Sequence, residues 1–290
     1  MPLSRTALLA LLLLLAPTSA LAQSRPRTPV SPYAPHVTFA AALSLGLAVG
    51  LTLGDPTPVP RWGGNPFDDA VRDELRLPDR SGRIGAGLAS DALVLGLVAF
   101  VGGVDGLLVP MLEGDDALAW QASAAYALTL GITVSLDELV KVAAARARPL
   151  TVGCDPSTDP SSCTPPSPGM SFYSGHSAVA FASAGFSCAM HLERAAYGDA
   201  IADATVCGST VAAAAIVGLL RVLADQHYLT DVLAGAAVGF VTGYVMPLLF
   251  VPQRSIATRA GAGAGLAVLP TGALDARGLA SLGLQAAGTF

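Results

Sequence analysis

Charge is scarce in this sequence. Only 13% of its 290 residues are Asp, Glu, Lys or Arg, while 52% are apolar; globular domains carry about 25% charged residues. Such a chain buries most of its length, in lipid or in a very apolar core. The net charge of −5 excludes the basic face that nucleic acid requires. Aromatics, at 6%, are too few for base-stacking platforms. The four cysteines form neither CxxC nor Cys/His metal spacing, so no zinc or other metal site is expected. There is no internal repeat.

The first 22 residues have the pattern of a signal peptide. Arg5 supplies a weak positive region, Ala7–Ala16 is an unbroken apolar run, and Ala20-Leu21-Ala22 is a small-residue cleavage site. The mature chain would begin at Gln23; the alternative is an uncleaved anchor. In an exported chain, Cys154 and Cys163 suit a local disulfide within their Pro/Ser-rich loop. Cys188 and Cys207 sit in apolar segments and read as buried thiols.

Residues 23–64 read as a flexible N-terminal segment with one apolar helix at Val37–Leu53. The Pro-, Ser- and Arg-rich stretch 23–35 forms its tail. Phe67, Val71, Leu75 and Leu77 predict a short amphipathic helix lying on a surface. Five further apolar stretches run near 84–112, 117–140, 176–190, 204–223 and 231–250. Several approach the roughly 20 residues of a membrane span, interrupted by Asp91, Asp105, Gln121, Asp137 and Glu138. Intramembrane charges usually face a bundle interior. The expected fold is all-α: a bundle of about six apolar helices counting Val37–Leu53, with residues 65–252 as the helical-bundle domain, membrane-embedded rather than soluble. The tail 253–290 mixes small and apolar residues with turn formers and reads as a β-hairpin appendage.

Three clusters carry chemistry. Lys141 and Arg148 close the 117–140 stretch; Pro149 disfavours helix at Arg148 and ends the helix there. Arg146, nearby, falls on a different face. Ser174-Gly175-His176 opens the next stretch, where a glycine allows close backbone approach and helix-start N–H groups attract anions. Arg221, His227 and Asp231 form the third. At i and i+4, His227 and Asp231 would meet on one helical face, where a carboxylate raises the basicity of the far imidazole nitrogen. Taken singly, each has a bland reading: a positive flank to a span, a helix cap with an incidental histidine, an Arg–Asp pair. Together they alternate helix end, helix start, helix end, helix start. A bundle therefore brings them to one side as an anion pocket.

Over about residues 65–250 the chain resembles the type-2 phosphatidate phosphatase and vanadium haloperoxidase superfamily. That pattern is Lys-x6-Arg-Pro, then Pro-Ser-Gly-His, then Ser-Arg-x5-His-x3-Asp. Lys141, Arg148 and Pro149 match the first; Tyr173 replaces the proline of the second and Leu220 the serine of the third. The resemblance implies that His227 attacks phosphorus to form a phosphohistidine, that Asp231 orients it, and that His176 protonates the leaving alkoxide and later activates water. Lys141, Arg148 and Arg221 would bind phosphoryl oxygens with Ser174 and Gly175. No cofactor is implied. Tyr173 would loosen the turn and Leu220 would remove one hydroxyl contact.

The expected function is hydrolysis of a phosphate monoester or pyrophosphate, on a lipid substrate at a membrane. Three alternatives stand beside it. One is a soluble periplasmic acid phosphatase of broad specificity. Another is a haloperoxidase, for which vanadate would be the cofactor. The third is a non-catalytic membrane scaffold or transporter. If all six apolar stretches after the signal cross, parity places the site in the cytoplasm, and the arginines of residues 61–83 suit that. A Cys154–Cys163 disulfide argues for the periplasm, the preferred side, which requires that Val37–Leu53 does not cross.

Overall fold

The computed structural model describes residues 28–54, 58–152, 154, 157, 167–252, 267–274 and 280–287. The signal peptide and Cys163, the expected partner of Cys154, lie outside the described residues. Seven helices are described: α1 (Ala34–Leu53), α2 (Pro66–Leu75), α3 (Arg80–Leu112), α4 (Asp116–Ala144), α5 (Gly175–Cys188), α6 (Ala200–Leu223) and α7 (Leu229–Phe250). The middle of α3 (Ala99–Leu108) and the extension of α5 (Ala189–Glu193) are π-helical. Strands β1 (Ala267–Leu274) and β2 (Ala280–Ala287) pair antiparallel, Ala267 opposite Ala287.

Five of the seven helix starts are written in the sequence as capping residues. Asn65, Asp79, Asp115, Ser174 and Asp199 cap α2 to α6 by accepting hydrogen bonds from backbone N–H groups of the first turn, the residue types that cap best. α4 stops at Ala145, which takes a left-handed φ of 49° and donates its N–H to the Lys141 carbonyl.

Four helices are long and apolar enough to cross a membrane: α1, α3, α6 and α7. α1 includes Val37–Leu53, the stretch that a periplasmic site by parity would exclude from crossing. Large apolar side chains such as Phe39, Leu88, Leu95, Leu219 and Val241 remain exposed, which water would penalise and acyl chains would not. This is a helical membrane protein, with α4 and α5 as its interior. Along α7, Gly235, Gly239 and Gly243 lie against the backbone carbonyls of Ser174, Ala178 and Ala182 of α5, where an added Cβ would collide. Small residues at this spacing let two backbones touch, which is how helices associate in lipid.

Three expectations change. The segment before α1 is fastened rather than free: Thr28 donates from N and Oγ1 to the Asp115 carboxylate at 3.0 and 2.6 Å, and the Ser31 N–H reaches Gln121 Oε1 at 2.8 Å. Cys188 and Cys207 are not thiols but a disulfide joining α5 to α6. The two helices run antiparallel through a short loop, which brings a Cys from each to a Cα separation of 4.4 Å, within the range a disulfide needs. Beside it, buried His191 sits between Asp203 (Nδ1 to Oδ1, 2.7 Å) and Asp105 (Nε2 to Oδ2, 3.1 Å). This cluster closes the end of the bundle away from the three motifs. Asp105, read from sequence only as an interruption, is its counter-charge.

Candidate active site

The end of α4, the start of α5, the end of α6 and the start of α7 meet on one side of the bundle. The Ser174 N–H donates to the Asp231 carbonyl at 3.0 Å, and the Arg148 Nη1 donates to Gln226 Oε1 at 2.9 Å. Ser174 is fully buried as the cap of α5; its Oγ accepts from Ser177 Oγ at 3.0 Å. Lys141, the only lysine in the chain, ion-pairs with Asp137 at 2.6 Å and Glu138 at 3.6 Å. A Cβ at Gly175 would strike the Asp137 carboxylate and stand 3.1 Å from Lys141 Nζ. Only glycine lets α5 start that close to the α4 cation.

Arg148 leaves α4 in an extended conformation, φ −70° and ψ 143°, before Pro149. Its Nε donates to the Ser167 carbonyl at 3.0 Å. Burial, then the charge of Arg221, hold it below the usual arginine value, against Asp231, Asp137 and Glu138. Arg221 is buried in the last turn of α6, and its Nε has no hydrogen-bond partner among the described residues. An unpaired buried guanidinium N–H is costly unless a ligand takes it.

His227 departs from the expected arrangement. It lies in the turn before α7, whose N-cap is Tyr228, so it shares no helical face with Asp231. Its Nδ1 donates to the Ser171 carbonyl at 2.8 Å, and Asp231 Oδ2 stands 3.7 Å away. A carbonyl only accepts, so Nδ1 carries the proton and Nε2 keeps its lone pair. Burial, with Arg148 and Lys141 adding to it, lowers the imidazole pKa to about 4, against the pull of Asp231. His227 is therefore neutral at ordinary pH.

Asp231 instead anchors the scaffold. Fully buried, it accepts from Ser171 Oγ at 2.6 Å, from the Tyr228 N–H at 3.0 Å and from Arg146 Nη1 at 2.6 Å. It orients His227 through Ser171, one residue removed. Arg146, set aside in the sequence as facing elsewhere, is 1% exposed. It also donates to Thr230 Oγ1 (2.8 Å), Asp68 Oδ2 (2.6 Å) and the Gly63 carbonyl (3.1 Å), and is sandwiched between the rings of Trp62 and Tyr228 at 4.5 and 4.3 Å. Asp68 brings α2 onto this network by accepting from the Thr230 N–H and Oγ1. Arg72 and Arg76 add ion pairs to Asp225, two residues before His227. The amphipathic helix thus roofs the turn that carries His227.

His176 Nε2 lies 2.9 Å from Asp91 Oδ1, and the same oxygen pairs with Arg221 Nη2. Asp91, read from sequence as an interruption of a span, is part of the site. Tyr173 is buried with its hydroxyl unpartnered among the described residues; the turn it occupies is held by Ser171 and Ser174. Leu220 is half-buried on α6. Among the described residues no His, Cys, Asp and Glu group is arranged to hold a metal.

A family model described as the PAP2 superfamily matches residues 120–255, the segment that supplies Lys141, Arg146, Arg148, Arg221, His176 and His227. Over that segment the chain is similar to the PAP2 superfamily. A solved structure, a transmembrane PAP2-type phosphatidylglycerolphosphate phosphatase from Bacillus subtilis, is similar at 18% identity with a TM-score of 0.46, over 75% of this chain and 96% of that one. No curated protein matches.

Proposed function

We propose that this protein hydrolyses a phosphate monoester or pyrophosphate of a lipid, through a phosphohistidine on His227. The observation that carries this reading is the His227 tautomer: Nδ1–H is tied to Ser171, leaving Nε2 as a buried, neutral nucleophile within the field of Arg148 and Lys141. In the first step Nε2 bonds to phosphorus while the ester P–O bond breaks, and the departing oxygen takes a proton from His176. In the second, His176 removes a proton from water, which displaces the imidazole and releases phosphate. Charge spreads over the equatorial oxygens of the transferring group in both steps. Lys141, Arg148 and Arg221, with the α5 N-terminus behind Gly175, supply preorganised opposite charge there. The chemistry needs no metal or cofactor.

The apolar exterior supports a substrate that arrives from the bilayer. The Cys188–Cys207 disulfide supports folding in an oxidising compartment, in keeping with an exported protein. Phosphate release from phosphatidate in detergent micelles, wild type against His227→Ala, tests the reading. Loss by at least about 10³-fold is expected, together with loss of an acid-labile, alkali-stable label from the protein. Equal release by the two proteins would sink it.

A further inference from the structure

Asp91 gives the site a charge that the three motifs do not contain. It projects from α3 with half its side chain exposed, and one oxygen, Oδ1, faces both His176 Nε2 and Arg221 Nη2. The contact with Asp91 is the one ion pair of the His176 side chain among the described residues, and that side chain makes no hydrogen bond to them, so its Nδ1 is left for the substrate.

The groups around His176 are otherwise hostile to a proton. Burial comes first in driving it toward the neutral form, followed by Arg221 and His227, with Lys141 adding to them. Asp91 is the one neighbour that opposes them. A neutral imidazole cannot protonate an alkoxide, and an alkyl phosphate cannot leave readily without that proton.

Building on the phosphatase reading, we propose that Asp91 is the positioning residue of the general acid: it holds His176 by Nε2 so that Nδ1–H points at the departing oxygen, and it steadies Arg221 beside the same phosphoryl group. In the first step the P–O electron pair goes to the leaving oxygen and the Nδ1 proton follows it. His176 is left neutral, with Nε2–H facing Asp91. In the second step Nδ1 takes a proton from the attacking water and His176 is again protonated beside Asp91, a form that the free site disfavours.

The test compares a lipid alkyl phosphate with p-nitrophenyl phosphate, whose leaving group departs without protonation. Asp91→Asn should lower kcat on the alkyl ester on the order of 100-fold, with only a few-fold loss on the aryl ester. Asp91→Glu should recover much of the difference. Independently of turnover, 13C-histidine spectra should show His176 titrating at lower pH in Asp91→Asn than in wild type.

Equal losses on the two esters would overturn the assignment. So would a fall in KM with kcat unchanged, which would make Asp91 a mere competitor with phosphate for Arg221. Wild type inert on both esters would refute the phosphatase reading instead. The His176 titration would still decide the pairing: a fall in the variant upholds it and no change overturns it.

Discussion

Replacing Arg146 should damage this protein more than replacing any phosphate-binding cation, although Arg146 belongs to none of the three motifs. Its guanidinium is 1% exposed and ties two fully buried carboxylates, Asp68 and Asp231, at 2.6 Å each. In Arg146→Ala, Asp68 keeps Thr230 and Asn65, and Asp231 keeps Ser171 and Tyr228, but neither keeps a cation. Removing one partner from a buried ion pair costs about 3–5 kcal/mol. The two stacked rings would add about 1 kcal/mol or more to that loss. These contributions share one side chain and do not simply add, so about 4 kcal/mol is the expected destabilisation. For a bundle of this size that is a fall on the order of 10 °C in melting temperature. Thermal unfolding in detergent micelles, followed by circular dichroism, reads it. Asp68→Asn in the Arg146→Ala background should cost less than it does in wild type, because it removes a charge that is already unpaired. Because Asp231 also fixes Ser171, which holds His227, kcat should fall with stability. A shift of 2 °C or less would refute this account of the network.

The α5–α7 contact and the nucleophile give two further expectations. Gly239→Val puts a branched side chain into the Ala178 carbonyl; it should destabilise by about 3 kcal/mol or more, whereas Gly103→Val, where nothing lies within 4 Å of a Cβ, should leave the melting curve close to wild type. His227 has its folded-state pKa lowered to about 4 from an ordinary value of 6.5. Its neutral form is the folded one, so its contribution to stability is full above pH 6.5 and is lost as pH falls from 6.5 through about 4. The acid limb of kcat/KM for the free enzyme should accordingly lie well below 6.5; an acid limb at 6.5 attributable to His227 would contradict its burial.

Much of this site is legible in the chain because it rests on local spacing. Capping residues, Pro149 after Arg148, and alternation of helix ends with starts place the three clusters on one side before any coordinates are known. Apolar periodicity and length likewise give the bundle and the roofing helix α2. What local spacing could not supply is any pairing between residues far apart in the chain. Asp91 and Arg221 are 130 positions apart, and Arg146 and Asp231 are 85 apart. A carboxylate within an apolar stretch looks the same in sequence whether it breaks a span, closes a far end as Asp105 does, or stands beside His176 as Asp91 does. The i, i+4 spacing of His227 and Asp231 suggested a direct contact on a helical face. The helix begins two residues after His227, and the imidazole turns to the Ser171 carbonyl instead. Cys188 and Cys207 looked like thiols because only the antiparallel packing of α5 and α6 brings them together. The sequence by itself determined which residues could bind and attack a phosphoryl group. The tertiary structure decided which nitrogen of His227 is left free, which carboxylate stands beside His176, and what holds both in place, because each of those depends on a partner contributed by a different segment.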